Sequence, residues 1–254
     1  MNTTHPGCYV GILGGMGPLA GAAFALRLVA LTPAEQDQQH IPALLLNDPR
    51  IPDRTAARLH GGADPLPAMR QGVELLQSAG ARVIAIPCNT AHLWYDELAA
   101  AVQIPVLHIV ESVVQDLQRR GIHGGPIGLM ATEATLRLGL YQSYLNRHGY
   151  TCIVPGDDEI AACCTHPIQA VKGNRMAEAF VSASAGVRLL ASRGARAVVL
   201  GCTELPLAIP HDRRAEFDVV LTDSIDALAL AVVEHHQARN ATEAGNGVSA
   251  VSAV

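Results

Sequence analysis

Along the chain, short unbroken apolar runs alternate with longer stretches in which apolar residues recur every three or four positions. The first kind reads as strand buried on both faces, the second as amphipathic helix, and their alternation predicts an α/β fold with a mainly parallel sheet. A strand is expected at residues 8–13, a tight loop at 14–17 and a helix at 18–31 with Pro18 in its favoured first turn. A strand at 41–46 runs into Asn47-Asp48-Pro49-Arg50-Ile51-Pro52-Asp53-Arg54-Thr55, a loop by composition. Leu66, Met69, Val73 and Leu76 then mark one face of a helix over 64–79, opened by Asp64 and closed by Gly80. A strand leads into Cys88, followed by a short helix, a strand at 106–109 and a helix at 111–120.

At residues 121–126 the pattern restarts. Ile127-Gly128-Leu129-Met130-Ala131-Thr132 reads like the first strand and loop, followed by a helix at 136–147, a strand at 151–154, a loop at 156–166, a long helix at 173–193 and a strand at 197–200. A last helix is expected at 223–236, and residues 237–254, small, polar and aperiodic, read as a frayed tail. The cysteines of Val83-Ile84-Ala85-Ile86-Pro87-Cys88-Asn89-Thr90 and Val198-Val199-Leu200-Gly201-Cys202-Thr203-Glu204 lie 114 residues apart, and the opening strands at Val10 and Ile127 lie 117 apart. Two landmarks at nearly one offset point to an internal duplication. The expected architecture is therefore two similar open parallel-sheet lobes, residues 1–110 and 111–222, with a cleft between them. Ligands bind at the carboxyl ends of such strands, which puts the two thiols on opposite walls of that cleft.

With 49% hydrophobic and 16% charged residues the chain has ample material for compact cores, and a formal net charge of −5 leaves no basic footprint for nucleic acid. Six cysteines in 254 residues do not make the framework of a small secreted domain. Cys163-Cys164 with His166 lacks a second ligand pair, so no metal site is expected. Arg27 is the single charge between Tyr9 and Leu31, yet Gly14-Gly15-Met16-Gly17-Pro18 divides that stretch into strand and helix, giving a cytoplasmic protein with no membrane segment.

Two facing thiols suit a particular chemistry. Inverting a carbon that bears hydrogen needs a base on one face and an acid on the other, and a thiolate/thiol pair does both. Asn89-Thr90 and Thr203 read as helix starts whose N–H groups would favour a thiolate or a substrate carboxylate.

Gly11-Ile12-Leu13-Gly14-Gly15-Met16-Gly17-Pro18, Ile51-Pro52-Asp53-Arg54-Thr55, Pro87-Cys88-Asn89-Thr90-Ala91-His92 and Gly201-Cys202-Thr203-Glu204 together resemble the motif set of the aspartate/glutamate racemase family, on its aspartate racemase side. The resemblance runs in order from about Tyr9 to about Val233. It implies an amino-acid racemase, an isomerase acting on a small-molecule acidic substrate, aspartate first and glutamate second, without pyridoxal phosphate or metal. It also implies a homodimer, and a final helix at 223–236 that returns to the first lobe. By position, Cys88 and Cys202 would be the acid/base thiols, Arg54 and Lys172 the partners of substrate carboxylates, and Met16, Asn89, Thr90, Thr132, Thr203 and Glu204 the lining of the substrate site. Glu204 would hold the substrate ammonium or orient Cys202, and His92 is read as structural. Ala134 and Leu138 depart from the small residues usual in the family, which leaves the substrate side chain least defined.

Three rivals stand beside this reading. Gly15-Met16-Gly17-Pro18-Leu19-Ala20 fits a dinucleotide-binding fingerprint, but the next acidic residue comes late and both thiols would be idle. A related isomerase or decarboxylase would use the cysteines differently. An amino-acid-binding protein would keep the cleft without turnover.

Overall fold

The computed structural model describes residues 9–249, with side chains through residue 242. The expected strand start at Cys8 and residues 250–254 of the expected tail lie outside the described residues. In the first lobe, β1 (Val10–Gly14), α1 (Pro18–Leu31), β2 (Ala43–Asn47), α2 (Arg54–Leu59), α3 (Leu66–Ser78), β3 (Val83–Ala85) and α4 (Tyr95–Ala100) follow one another, and α5 (Ile109–Arg119) then crosses to pack on the second. The second lobe comprises β4 (Gly125–Met130), α6 (Glu133–Arg137), α7 (Leu140–Arg147), β5 (Tyr150–Ile153), α8 (Asp157–Ile160), α9 (His166–Lys172), α10 (Met176–Ser192), β6 (Ala197–Leu200), α11 (Leu205–Ala208) and β7 (Val220–Asp223). The last helix is α12 (Ser224–Ser249).

The strands form two all-parallel sheets, ordered β2-β1-β3 and β5-β4-β6-β7. Strands β1, β3 and β6 are buried along their whole length, which is why they read as unbroken apolar runs, while strand β2 is largely exposed. Val10 and Ile12 cluster with Phe24 and Leu28 of α1, whereas Leu13, pointing the other way, clusters with Met69, Val73 and Leu76 of α3.

The two lobes repeat each other down to individual contacts. A Cβ placed on Gly11 of β1 would lie 2.9 Å from Leu76 Cβ, 3.0 Å from Ile84 and 3.1 Å from Ala81. On Gly128 of β4 it would lie 2.9 Å from Leu190 Cβ, 3.0 Å from Val198 and 3.2 Å from Ala195. Each neighbour in the second set stands 114 residues after its counterpart, the spacing of the two cysteines. Glycine is required at both places because the covering helix, α3 or α10, sits directly on the central strand.

Helix α12 packs on α1 and α5. Arg27, the single charge of the apolar N-terminal stretch, turns inward and grips Asp226 of α12 through Nε (2.6 Å) and Nη2 (3.0 Å). Among the described residues no helix is long and apolar enough to cross a membrane.

Several elements differ from expectation. Residues 106–109 make no strand: Val106 forms one parallel bridge with Ile84, and the next turn is taken by His108, whose Nδ1 accepts from Val110 and Glu111 N–H as the cap of α5. The helix expected over 136–147 is broken at Gly139, which takes φ +69°. Residues 156–166 are helical rather than loop, with a widened turn at Ala161–Thr165. Asp223 ends a strand instead of starting a helix, and α12 continues to Ser249, well past His236.

The matched glycines supply a test of the duplicated packing. Gly11→Ala and Gly128→Ala should each destabilise the protein by about 1–3 kcal/mol through overpacking, measured by urea unfolding, with similar costs in the two lobes. A neutral result at either site would contradict the close helix-on-strand approach.

Candidate active site

Cys88 follows β3 and Cys202 follows β6, so each thiol stands just beyond the carboxyl end of a buried strand. Both are 4% exposed. They line one closed cavity of about 20 Å³, together with Met16, Asp53, Arg54, Thr55, Asn89, Thr90, Thr132, Lys172, Thr203 and Glu204. All ten residues singled out in the sequence therefore meet at one place. Asp53 and Thr55 join them; their signal was their position on either side of Arg54. Two larger spaces adjoin, of about 580 Å³ and about 340 Å³, and Asp53 and Lys172 border all three.

Arg54 opens α2 and is 7% exposed. Its Nη1 donates to Ile51 O (3.2 Å) and Pro52 O (2.8 Å), and Nη2 to Met16 O (3.0 Å). These bonds fix the guanidinium between the loop after β1 and the start of α2, and leave its buried Nε–H without a partner. A buried cation bonded only to neutral carbonyls is suited to an anion. Asp53, by contrast, is used as a cap, accepting from Ala56 N–H at 2.7 Å.

On the opposite wall Glu204, 4% exposed, is the counterpart. Its Oε2 accepts from Cys202 Sγ (3.0 Å) and Thr203 Oγ1 (3.4 Å), while Oε1 is buried without a partner. Burial pushes the Cys202 pKa well above the ordinary thiol value, and the charge and acceptance of Glu204 raise it further, so Cys202 is held as a thiol. Lys172, the last residue of α9, stands at the cavity mouth with part of its side chain exposed. Burial works to lower its pKa, but nearby negative charge, that of Glu204 first, outweighs it and the net shift is upward.

The polar residues after the cysteines are not caps. Asn89 sends its side chain to Tyr141 and Ser224, Thr90 Oγ1 bonds Thr132 Oγ1 at 2.8 Å, and Thr203 donates to Glu204. Nor is the Cys202 thiol acidified by a helix start: Glu204 and burial dominate, and α11 is only four residues long. His92 is structural. Its Nδ1 faces Cys88 O at 2.9 Å and so must carry the proton, while Nε2 accepts from Ile109 N–H at 3.2 Å. Burial lowers its pKa to about 4, in keeping with that neutral form.

Other features fall outside the cavity. Ala134 is fully buried and Leu138 half-exposed; neither lines these spaces. Cys163 and Cys164 are buried in the widened turn, and His166 pairs with Glu178 at 2.9 Å. Burial pushes Cys164 to about 12, far from a thiolate ligand. Asp48, the acid a dinucleotide ribose would need, is paired with Arg50 at 2.8 Å. Among the described residues His211, Asp223 and Asp226 bring three ligand-type atoms together, but Arg214 and Arg27 already neutralise the two carboxylates.

Fold and site together define a two-lobed α/β enzyme with one buried thiol on each wall of a closed cleft. The comparisons agree in class. The sequence model of the Asp/Glu/Hydantoin racemase family matches residues 13–232, and the chain belongs to that family, an isomerase of the racemase type. It is 25% identical over 235 residues to the broad specificity amino-acid racemase RacX of Bacillus subtilis (strain 168), covering 90% of this chain and 98% of that one. It is 26% identical over 160 residues to the glutamate racemase of Aquifex pyrophilus, covering 62% of this chain and 59% of that one. Among solved structures, the aspartate racemase of Picrophilus torridus superposes with a TM-score of 0.79 at 31% identity, over 90% of this chain and 94% of that one.

The Cys202–Glu204 contact has a readable pH signature. Removing the carboxylate in Glu204→Gln takes away a negative charge that disfavours the thiolate, so the Cys202 pKa should fall. Iodoacetamide labelling of Cys202, followed by peptide mass spectrometry across pH, should shift to lower pH. An unmoved profile would refute the contact's influence.

Proposed function

We propose that this chain interconverts the L and D forms of an acidic amino acid, aspartate first and glutamate second, by exchanging the α-proton between two cysteines without pyridoxal phosphate or metal. The observation that carries the reading is the pair of buried, unpartnered, oppositely charged atoms beside the thiols, Arg54 Nε and Glu204 Oε1. They complement the carboxylate and ammonium of an amino-acid head group. Lys172 at the mouth offers the second positive contact that a side-chain carboxylate requires.

In this mechanism Cys202, held as thiol, is the acid and Cys88, as thiolate, the base. The α-proton passes to Cys88 Sγ and the bonding electron pair stays on the substrate as a carbanion delocalised into its carboxylate. The Cys202 proton is delivered to the opposite face, leaving Cys88 as thiol and Cys202 as thiolate. The reverse reaction swaps the roles. Arg54 stabilises the charge gathering on the α-carboxylate while Lys172 holds the side-chain carboxylate, and exclusion of water strengthens both contacts.

A wider substrate range is the second reading. The space of about 580 Å³ next to the thiols is walled by Pro18, Leu19, Pro49, Ile51 and Val171 as well as Arg54 and Lys172. A longer or less polar side chain fits there, and a full-length relative carries a broad-specificity name. A cytoplasmic homodimer completes the proposal. The outer side of α1, with Leu19, Leu26 and Val29 exposed and no charged side chain turned outward, supports self-association of two copies. Light scattering should give twice the chain mass, and Leu26→Glu with Val29→Glu should give one; a wild-type monomer would overturn the dimer.

The catalytic reading is tested by α-proton exchange in D2O, followed by NMR over a panel of L- and D-amino acids. Deuterium should enter at the α-carbon of aspartate or glutamate as the mirror form appears, and Cys88→Ala and Cys202→Ala should each lose at least about 100-fold in kcat. Exchange confined to other amino acids would favour the broader reading. Tight binding with no exchange would replace catalysis by a binding role.

A further inference from the structure

The Cys88 thiol has no side-chain hydrogen bond among the described residues, so its place in the cavity is set by its surroundings. His92 holds its carbonyl, and the next residue, Asn89, is held from the other lobe. Tyr141 of α7, fully buried, donates from its hydroxyl to Asn89 Oδ1 at 2.6 Å. Asn89 Nδ2 donates to Ser224 Oγ at 2.8 Å, and Ser224 Oγ reaches Leu200 O, the end of β6, at 3.5 Å. The same tyrosine ring lies against Gly201: a Cβ there would stand 3.2 Å from Tyr141 Cε2. One side chain therefore touches the residue after Cys88 and the residue before Cys202.

We infer that Tyr141 is a positioning residue that sets the placement of the Cys88 thiol relative to Cys202 by bridging Asn89 and Gly201. It lines none of the adjoining spaces, so it does not meet the substrate. Burial keeps its phenol protonated and hence a donor. Asn89 Oδ1 has no other partner among the described residues, so loss of the hydroxyl loosens the loop that carries Cys88. The kinetic consequence rests on the racemase reading, because in-line proton transfer is sensitive to displacements of about 1 Å.

Tyr141→Phe keeps the ring and removes only the hydroxyl. In the full chain, kcat should fall by roughly tenfold to hundredfold, with KM close to wild type, since no substrate contact is lost. Iodoacetamide alkylation of Cys88 in the substrate-free protein should accelerate several-fold, read by peptide mass spectrometry. Ser224→Ala, which cuts the network one link further on, should move both readouts in the same direction by less, and decides the matter if Tyr141→Phe does not fold. A folded Tyr141→Phe with wild-type kcat and wild-type Cys88 labelling would overturn the inference. If the wild type racemises nothing, the racemase reading falls, and the labelling rate alone still judges whether Tyr141 holds the Cys88 loop.

Discussion

A charge enclosed away from water has to meet its opposite, and the centre of this protein is arranged around that requirement. Arg54 is fixed by three main-chain carbonyls that cannot neutralise it, and Glu204 is fixed by two short donors that leave one oxygen bare. Each has one unanswered atom in the same confined region. A zwitterionic head group answers both at once, whereas a simple anion or cation answers only one. The buried charges thus argue for an amino acid before any thiol chemistry is considered.

Duplication explains the symmetry of the thiols, and the loops after them explain why they are not equivalent. Gly11 and Gly128 let matching helices sit at matching depth on matching strands, so Cys88 and Cys202 emerge at corresponding points. Beyond that the chain diverges. Asn89 reaches across to Tyr141 and Ser224, leaving Cys88 without a carboxylate bonded to it, while Glu204 turns back onto its own cysteine. One backbone geometry therefore presents two thiols in different electrostatic surroundings, as the proposed acid and base would require.

Much of this was legible in the sequence because it was written in local patterns. Buried parallel strands are unbroken apolar runs, so β1, β3, β4 and β6 could be read directly, and the repeat offset brought Cys88 and Cys202 together. Residues 156–166 looked like loop because Gly156, the two aspartates after it and the Cys-Cys pair weaken helical periodicity, yet burial of Ile160, Cys163 and Cys164 holds them helical. Strand β7 was hidden because Val220-Leu221-Thr222-Asp223 is short and runs straight into α12. Asn89 and Thr203 have capping chemistry, but Asn89 is taken by Tyr141 and Ser224 across the fold and Thr203 by the side chain of the next residue, Glu204. No local signal marks Tyr141, whose importance lies entirely in what it touches across the fold.

The closed cavity bears on how a substrate gets in. At about 20 Å³ the space between the thiols holds a single water, so something must move. Separating the lobes would break the Thr90–Thr132 bond and the buried Tyr141–Asn89 bond, the second leaving a buried group unsatisfied at a cost of about 1–3 kcal/mol. Swinging Lys172 outward disturbs no hydrogen bond, and its partly exposed side chain borders both larger spaces. The side-chain route is the less costly one. It also leaves Arg54, Glu204 and the two thiols in place, so on the proposed reading the lysine that would meet a substrate carboxylate would also close over it.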